Sequence, residues 1–375
     1  MLFISILDIR LKAFTEIPIR YKFETFYLIN QIHLFNNKPK FMNLKNKTLL
    51  ITGIDELVGL RTAELAIAQG MNVRGLQSST EQNKQLQNLG VEVIIGSITD
   101  SAIAQKACQG VDIVLHTEQI AEEAGAINHF RDVNVGGTVN IAKAAKQAGV
   151  KTFVHLSSVM VYGFNYPNGI TESGPLSGEN NPYCQTKIEA EQALLELNNP
   201  YDFGIIIIRA GDVYGPGSIP WIVRPILMMR QKLFAYANDG KGVINHVYID
   251  NLIDGIFLAI EKETFGEIFN ITDGQETSWK EYFMRLAAIE GLSAPLSLPK
   301  DEIKLFLKLR VQGQKLFRKK VDILPESIDF MTRPYACSIA KAESLLNYKP
   351  TIDLESGMQR THEWLQKTDI QSLMK

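Results

Sequence analysis

The chain has 375 residues, 45% hydrophobic and 21% charged, with 27 glycines and 14 prolines. That is ordinary globular composition, which excludes a fibrous or wholly disordered protein. The net charge of −2, from 39 basic and 41 acidic residues, excludes general attraction to nucleic acid or an anionic membrane.

The first glycine is Gly53. Residues 1–41 carry eight aromatics and six basic residues against three acidic ones. Asp8, Arg10 and Lys12 directly after the apolar start argue against a signal peptide, and Asp8, Glu16 and Glu24 against a transit peptide. No run of about 20 apolar residues occurs, so no membrane span is expected. Residues 1–41 therefore read as an extension outside the fold, or an upstream start ahead of Met42.

From Thr48 the chain alternates strand and helix. Strands are predicted at Thr48–Thr52, Asn72–Leu76, Val91–Ile95, Val111–His116, Thr152–Leu156, Gly204–Ile208 and Glu267–Ile271. Helices are predicted at Leu57–Gln69, Gln82–Leu89, Ala102–Gln109, Val133–Ala148, Tyr183–Leu197, Val223–Lys232 and Asn251–Ile260. Strands apolar on every side are covered on both faces. Such alternation means right-handed βαβ units and a doubly wound parallel sheet, an α/β fold. The expected domains are 45–215, with 245–275 returning to it, and a smaller substrate-binding region from 216–244 and 276–370. The last of these reads as mostly helical. Ligands of such sheets bind at the carboxyl ends of the strands.

The first strand leads into Thr52-Gly53-Ile54-Asp55-Glu56-Leu57-Val58-Gly59 and then a helix. Strand, glycine turn and helix form a dinucleotide-binding arrangement, with backbone N–H groups facing a pyrophosphate. Thr52, Gly53, Leu57, Val58 and Gly59 are the candidate phosphate contacts. Glu56 stands where a middle glycine would let backbone approach the pyrophosphate, and Asp55 adds a second charge. Both acids also suit a helix start. No acid follows the second strand, in Arg74-Gly75-Leu76-Gln77-Ser78-Ser79-Thr80. An acid there would select NAD. Its absence leans toward NADP, with Arg74, Ser78 and Ser79 as phosphate donors, or marks only a polar loop.

Tyr183-Cys-Gln-Thr-Lys187 puts tyrosine and lysine at i and i+4, on one helix face. Ser157-Ser158-Val-Met-Val-Tyr162-Gly163 ends the preceding strand. Ser158 lies 25 residues before Tyr183. This constellation, with the TGxxGxxG-like turn, resembles the extended short-chain dehydrogenases/reductases. Asn134-Val-Gly-Gly137-Thr138 is similar to the family's NVxGT, and Arg209-Ala-Gly-Asp-Val-Tyr-Gly-Pro-Gly217 to RPxxVYGPG. Lys341-Ala342, Leu346, Tyr348 and Pro350 match a KAxxxLxYxP pattern. The resemblance spans about residues 47–368. It implies a Rossmann fold, NADP or NAD as cofactor, and Ser158, Tyr183 and Lys187 as the catalytic triad. Tyr183 would exchange a proton with the substrate oxygen, its pKa lowered by Lys187 and a bound nicotinamide. Ser158 would hold that oxygen, and Lys187 would also bond the nicotinamide ribose. Ser97, Ile98 and Asn134 join the cofactor contacts.

Two further segments depart from the family. Glu118 and Gln119 follow Asp112-Ile-Val-Leu-His116-Thr117, where small residues are usual. Ser97 in Gly96-Ser97-Ile98-Thr99-Asp100 replaces an acid. His116 and His155 read as core.

The segments 246–251 and 269–274 look most like the NAD-dependent epimerase/dehydratase family's 3β-hydroxysteroid dehydrogenase-like branch. Ile244 occupies the place of an arginine that binds phosphate in sugar-nucleotide members. The expected function is NAD(P)-dependent hydride transfer at a secondary alcohol or ketone. A nucleotide-sugar epimerase or dehydratase is one alternative. A non-catalytic binding or regulatory protein is the other, motivated by Glu56, Glu118 and Ser97. Ile303–Lys320 carries seven basic residues and no acids. It would touch a membrane surface, admit a lipophilic small-molecule substrate, or simply pack on the C-terminal region. The family analogy implies a homodimer through Asn134–Ala148 and Tyr183–Leu197. Cys108, Cys184 and Cys337 form neither a metal spacing nor a disulfide framework, which fits the cytoplasm. No metal is expected.

Overall fold

The computed structural model describes residues 41, 44–80, 83–122, 125–178, 181–316 and 324–374. The chain divides into two units, Met1–Met42 and Asn43–Lys375. The expected extension 1–41 lies, but for Phe41, outside the described residues. Every helix and strand named below belongs to the second unit.

The elements begin with β1 (Thr48–Thr52), α1 (Leu57–Ala68), β2 (Asn72–Gln77), α2 (Asn83–Asn88), β3 (Glu92–Ile95), α3 (Ser101–Cys108) and β4 (Ile113–His116). They continue with α4 (Ile127–Phe130), a π-helical stretch (Arg131–Gly137), α5 (Thr138–Gln147), β5 (Thr152–Ser158), α6 (Pro182–Leu195) and β6 (Gly204–Ala210). After β7 (Asp212–Tyr214), α7 (Arg224–Arg230), β8 (Ala235–Ala237), β9 (Val243–Ile244) and β10 (His246–Tyr248) come α8 (Ile249–Glu261) and β11 (Ile268–Ile271). The C-terminal part holds β12 (Thr277–Ser278), α9 (Trp279–Ile289), β13 (Leu296–Leu298), α10 (Lys300–Leu316), α11 (Ser327–Met331) and α12 (Leu354–Leu365).

Seven strands form one sheet in the order β11-β6-β5-β4-β1-β2-β3, each parallel to its neighbours. This is a doubly wound Rossmann-type α/β fold, and the strand order reverses between β1 and β4. Every residue of β6, Gly-Ile-Ile-Ile-Ile-Arg-Ala, is buried. On one face Leu50, Val114, Phe153, Ile205 and Ile207 pack with residues of α3 and α5. On the other, α1 packs against α8. Two covered faces explain the unbroken apolar runs.

Several differences from the sequence expectations bear on the site or its surroundings. β5 runs two residues past Leu156, so Ser157 and Ser158 pair in register with Arg209 and Ala210. The helix expected from Val133 starts at Ile127 and passes through a π turn. A Cβ on Gly137 would stand 2.6 Å from the Ile98 side chain, so only glycine lets this helix approach so closely. The region 276–370 also contains short strands: β12 pairs with β9, and β13 with β8. Runs of two or three residues carry no period-2 pattern to read.

Candidate active site

The turn after β1 sits at the point where the strand order reverses. Gly53 has φ +66°, a left-handed conformation that disfavours other residues. A Cβ on Gly59 would collide with the Gly53 carbonyl oxygen, so helix α1 rests directly on the turn. Glu56 is the N-cap of α1 but makes no side-chain cap. The N–H groups of the first turn are thus left without the acceptor an N-cap side chain usually supplies. The expectation that these acids simply cap the helix does not hold for Glu56.

Across the crevice, the loop after β4 brings Glu118 against Gly53. One carboxyl oxygen of Glu118, Oε2, is buried without a hydrogen-bond partner. Burial pushes the Glu118 carboxyl up to about 7, with repulsion from Glu56 and Asp55 adding to it. Glu56 is exposed. Partial desolvation by the surrounding protein raises its carboxyl above the usual range; Asp55 adds to the rise and Lys187 opposes it.

Ser158 ends β5 at the carboxyl edge of the sheet. Its Oγ accepts from the Met160 N–H at 3.2 Å. Asn181 caps α6, its side chain accepting from Tyr183 N at 2.9 Å and Cys184 N at 3.2 Å, with Pro182 next. That cap starts the helix where Tyr183 and Lys187 share the face toward β5. The Tyr183 hydroxyl donates a long bond to Gln119 Oε1 at 3.4 Å, and the neighbouring Ser158 hydroxyl acts on it to lower its pKa. Lys187 is buried, and its Nζ donates to the Leu156 carbonyl at 2.6 Å. The same Nζ lies 5.9 Å from the Tyr183 ring centroid.

Burial pushes the Tyr183 phenol above its usual range; the Ser158 hydrogen bond only partly offsets it. Burial also pushes the Lys187 amine down to about 7, while Glu191 and Glu56 pull it up. Lys187 is thus a weakened cation, and it does not by itself turn Tyr183 into a base at neutral pH.

The other expected cofactor residues divide. Thr52 is fully buried, its hydroxyl 2.7 Å from His116 Nδ1. His116 Nε2 lies 2.7 Å from Thr138 Oγ1, which itself donates to the Asn134 carbonyl. Nε2 must therefore carry the proton and Nδ1 accept from Thr52. Burial first, then Lys187, holds His116 neutral, its pKa down to about 3. His155, stacked on it with centroids 5.5 Å apart, is equally buried. Both histidines are core. Asn134 ties the loop after β4 to α6: it accepts from Ile120 N at 2.7 Å and donates to Ile120 O and Thr186 Oγ1. Leu57 and Val58 are half-buried on the first turn of α1. Ser78 is exposed beyond β2. Ser97 Oγ lies 2.8 Å from Thr99 Oγ1, in a turn ahead of α3. Ile98 is fully buried, with its side chain in the core.

Arg74 is a correction. Its guanidinium donates to the Ala107 and Gln109 carbonyls at 3.0 and 2.6 Å, and to Glu92 at 2.9 Å. These groups lie at the C-terminal end of α3 and the start of β3, the amino edge of the sheet. The side chain thus points away from the edge where a dinucleotide lies.

Sequence reasoning missed Glu191. It sits on α6 one turn beyond Lys187 and forms a buried ion pair with Arg209, Nη2 to Oε2 at 2.7 Å. Ser157 Oγ donates to Glu191 Oε1 at 2.5 Å, and Arg209 also reaches the Tyr162 hydroxyl at 2.8 Å. Its i+4 spacing from Lys187 was the available signal.

A doubly wound sheet with a glycine turn at its switch point defines a dinucleotide-dependent enzyme fold. The chain belongs to the NAD dependent epimerase/dehydratase family, whose sequence model matches residues 49–272. It is 26% identical over 316 residues to 4-hydroxy-2-methyl-3-oxo-4-farnesyl-3,4-dihydroquinoline-1-oxide ketoreductase of Stigmatella aurantiaca, covering 82% of this chain and 93% of the relative. It is 27% identical to UDP-glucose 4-epimerase of Vibrio cholerae, covering 84% and 94%. Among solved structures, UDP-glucuronic acid 4-epimerase from Bacillus cereus, in complex with UDP-glucuronic acid and NAD, superposes with TM-score 0.68 at 23% identity. It covers 85% of this chain and 99% of that one. The protein is an NAD(P)-dependent enzyme of this family. The backbone at Gly53 and Gly59 fits a pyrophosphate; the charges of Asp55, Glu56 and Glu118 oppose one.

Proposed function

We propose that the protein transfers hydride between NAD(P) and a secondary alcohol or ketone, with Ser158, Tyr183 and Lys187 as the residues that act on substrate. The observation that carries this reading is the meeting of the three side chains at the carboxyl edge of the sheet, beside the glycine turn. The cofactor, when bound, supplies or accepts the hydride. Tyr183 exchanges a proton with the substrate oxygen, and Ser158 orients that oxygen. Lys187, held by the Leu156 carbonyl, places positive charge behind Tyr183. Thr52, Gly53, Leu57, Val58, Gly59, Ser78, Ser97, Ile98 and Asn134 form or support the cofactor side. With Arg74 engaged elsewhere, the lean toward NADP rests on Ser78 and Ser79 alone.

The substrate is a lipophilic small molecule. The Stigmatella relative is named for a farnesylated ketone. On α10, Leu305, Phe306 and Leu309 are exposed beside Lys308 and Arg310, while Leu307 and Val311 are buried. That face would also serve brief contact with a membrane surface. Residues 317–320 of the expected basic helix lie outside the described residues. Among the described residues no helix is long and apolar enough to cross a membrane. A cytoplasmic homodimer packed through α5 and α6 completes the reading.

The epimerase reading draws on the Vibrio relative. Ile244, fully buried where sugar-nucleotide members carry an arginine, weighs against it. Oxidation of NADH or NADPH with a panel of hydrophobic ketones, beside chromatography of UDP-sugars incubated with NAD, separates the two, because epimerisation leaves the cofactor's oxidation state unchanged overall. Turnover with a UDP-sugar and none of the ketones would overturn the oxidoreductase reading.

A further inference from the structure

The switch-point crevice is walled by carboxyls on both sides. Glu56 opens α1, the helix end that would face a pyrophosphate, and leaves its own cap unmade. Glu118 enters from the loop after β4, its main chain pressed on Gly53 and its Oε2 buried without a partner. A recessed, unpartnered carboxyl favours its neutral form, because ionising it there forfeits hydration.

The charged neighbours of the pair are few. Glu56 faces Asp55 on its own turn, Glu118 across the crevice, and Lys187 and Tyr183 on α6. Glu118 faces Glu56 and Asp55. Lys187 is the cation among these neighbours, and its Nζ is already engaged with the Leu156 carbonyl. His116 and His155 stand behind it, buried and neutral. An entering pyrophosphate therefore meets more negative charge than positive unless the pair carries protons.

We propose that Glu56 and Glu118 make cofactor binding proton-coupled, so that the site takes up a proton onto this carboxyl pair as it accepts NAD(P) and binds more tightly as pH falls. The inference rests on the cofactor reading of the glycine turn. Burial pushes the Glu118 carboxyl up to about 7, and Glu56 shifts in the same direction, which places the effect in the physiological range. Uptake of one proton at such a group changes affinity by about tenfold between pH 8 and pH 6.

NADH is the probe, because its pyrophosphate does not titrate in this range, whereas the 2′-phosphate of NADPH does. Calorimetric titration of the full chain at pH 6, 7 and 8, in two buffers of different ionisation enthalpy, reads affinity and proton uptake separately. The expected result is a Kd about ten times lower at pH 6 than at pH 8, with net proton uptake at pH 7. Glu56→Gln with Glu118→Gln should bind at pH 8 at least as tightly as the parent does at pH 6, and with little pH dependence. Lys187→Met should keep the pH slope, showing that it does not arise from the amine. A pH-independent Kd without proton uptake in the parent would overturn the proposal. Binding by neither the parent nor the double Gln variant at any pH, with melting curves intact, would overturn the cofactor reading and this inference with it.

Discussion

The α-carbon of Glu118 lies 2.9 Å from where a side chain on Gly53 would begin. The loop after β4 is therefore seated on the phosphate turn, and α1 presses on the same turn at Gly59. Gly59→Ala should destabilise the fold by about 1–3 kcal/mol, as overpacking does, and weaken NADH binding. Gly136→Ala is the control, since its nearest neighbour, the Arg131 carbonyl, is an ordinary 3.6 Å away. Thermal melts of both variants check this; equal melting temperatures would contradict it.

Tyr183→Phe removes the hydroxyl that donates to Gln119 and sits beside Ser158. Turnover should fall about 10²–10⁴-fold, the usual worth of a positioned acid or base. NADH affinity should change little. Steady-state kinetics beside a binding titration separates the two effects.

The Arg209–Glu191 pair is buried on both sides, each side chain 2% exposed. Removing one partner strands a charge in the core, which costs about 3–5 kcal/mol. Arg209→Met should thus lower the melting temperature by about 10 °C. Combining it with Glu191→Gln should restore part of that loss, because the stranded carboxylate is gone. A double variant as unstable as the sum of the two would contradict the pairing.

Lys187 gives a pH dependence of stability with a definite sign. Burial lowers its amine to about 7, against the ordinary 10.5. Between those values the folded chain binds fewer protons than the unfolded one. The Lys187 contribution therefore grows as pH rises from 7 toward 10.5 and is lost as pH falls through 7, by about 1 kcal/mol per unit. Denaturant melts at pH 7, 8 and 9 should show that slope reduced in Lys187→Met. Identical slopes would mean that the amine keeps its ordinary pKa.

The sheet was legible because strands covered on both faces are written as unbroken apolar runs, as in Gly204–Ala210. The turn was legible from Gly53 and Gly59, which backbone geometry demands. Ser158, Tyr183 and Lys187 were nameable through the family resemblance, since a shared helix face for Tyr183 and Lys187 is by itself a weak signal. Side-chain commitments were not legible. Arg74 reads as a phosphate donor until the carbonyls of α3 claim it. Glu191 shows no role until Arg209 arrives from a neighbouring strand. The short strands β8, β9, β12 and β13 exist through tertiary pairing and leave no local signal.

The central claim, a dinucleotide site at the Gly53 turn feeding Tyr183, is tested most directly by NADH fluorescence titration at pH 6, on the parent and on Glu56→Gly. Saturable binding by the parent, tightened in Glu56→Gly, is the expected result. No binding by either protein at millimolar NADH would contradict it.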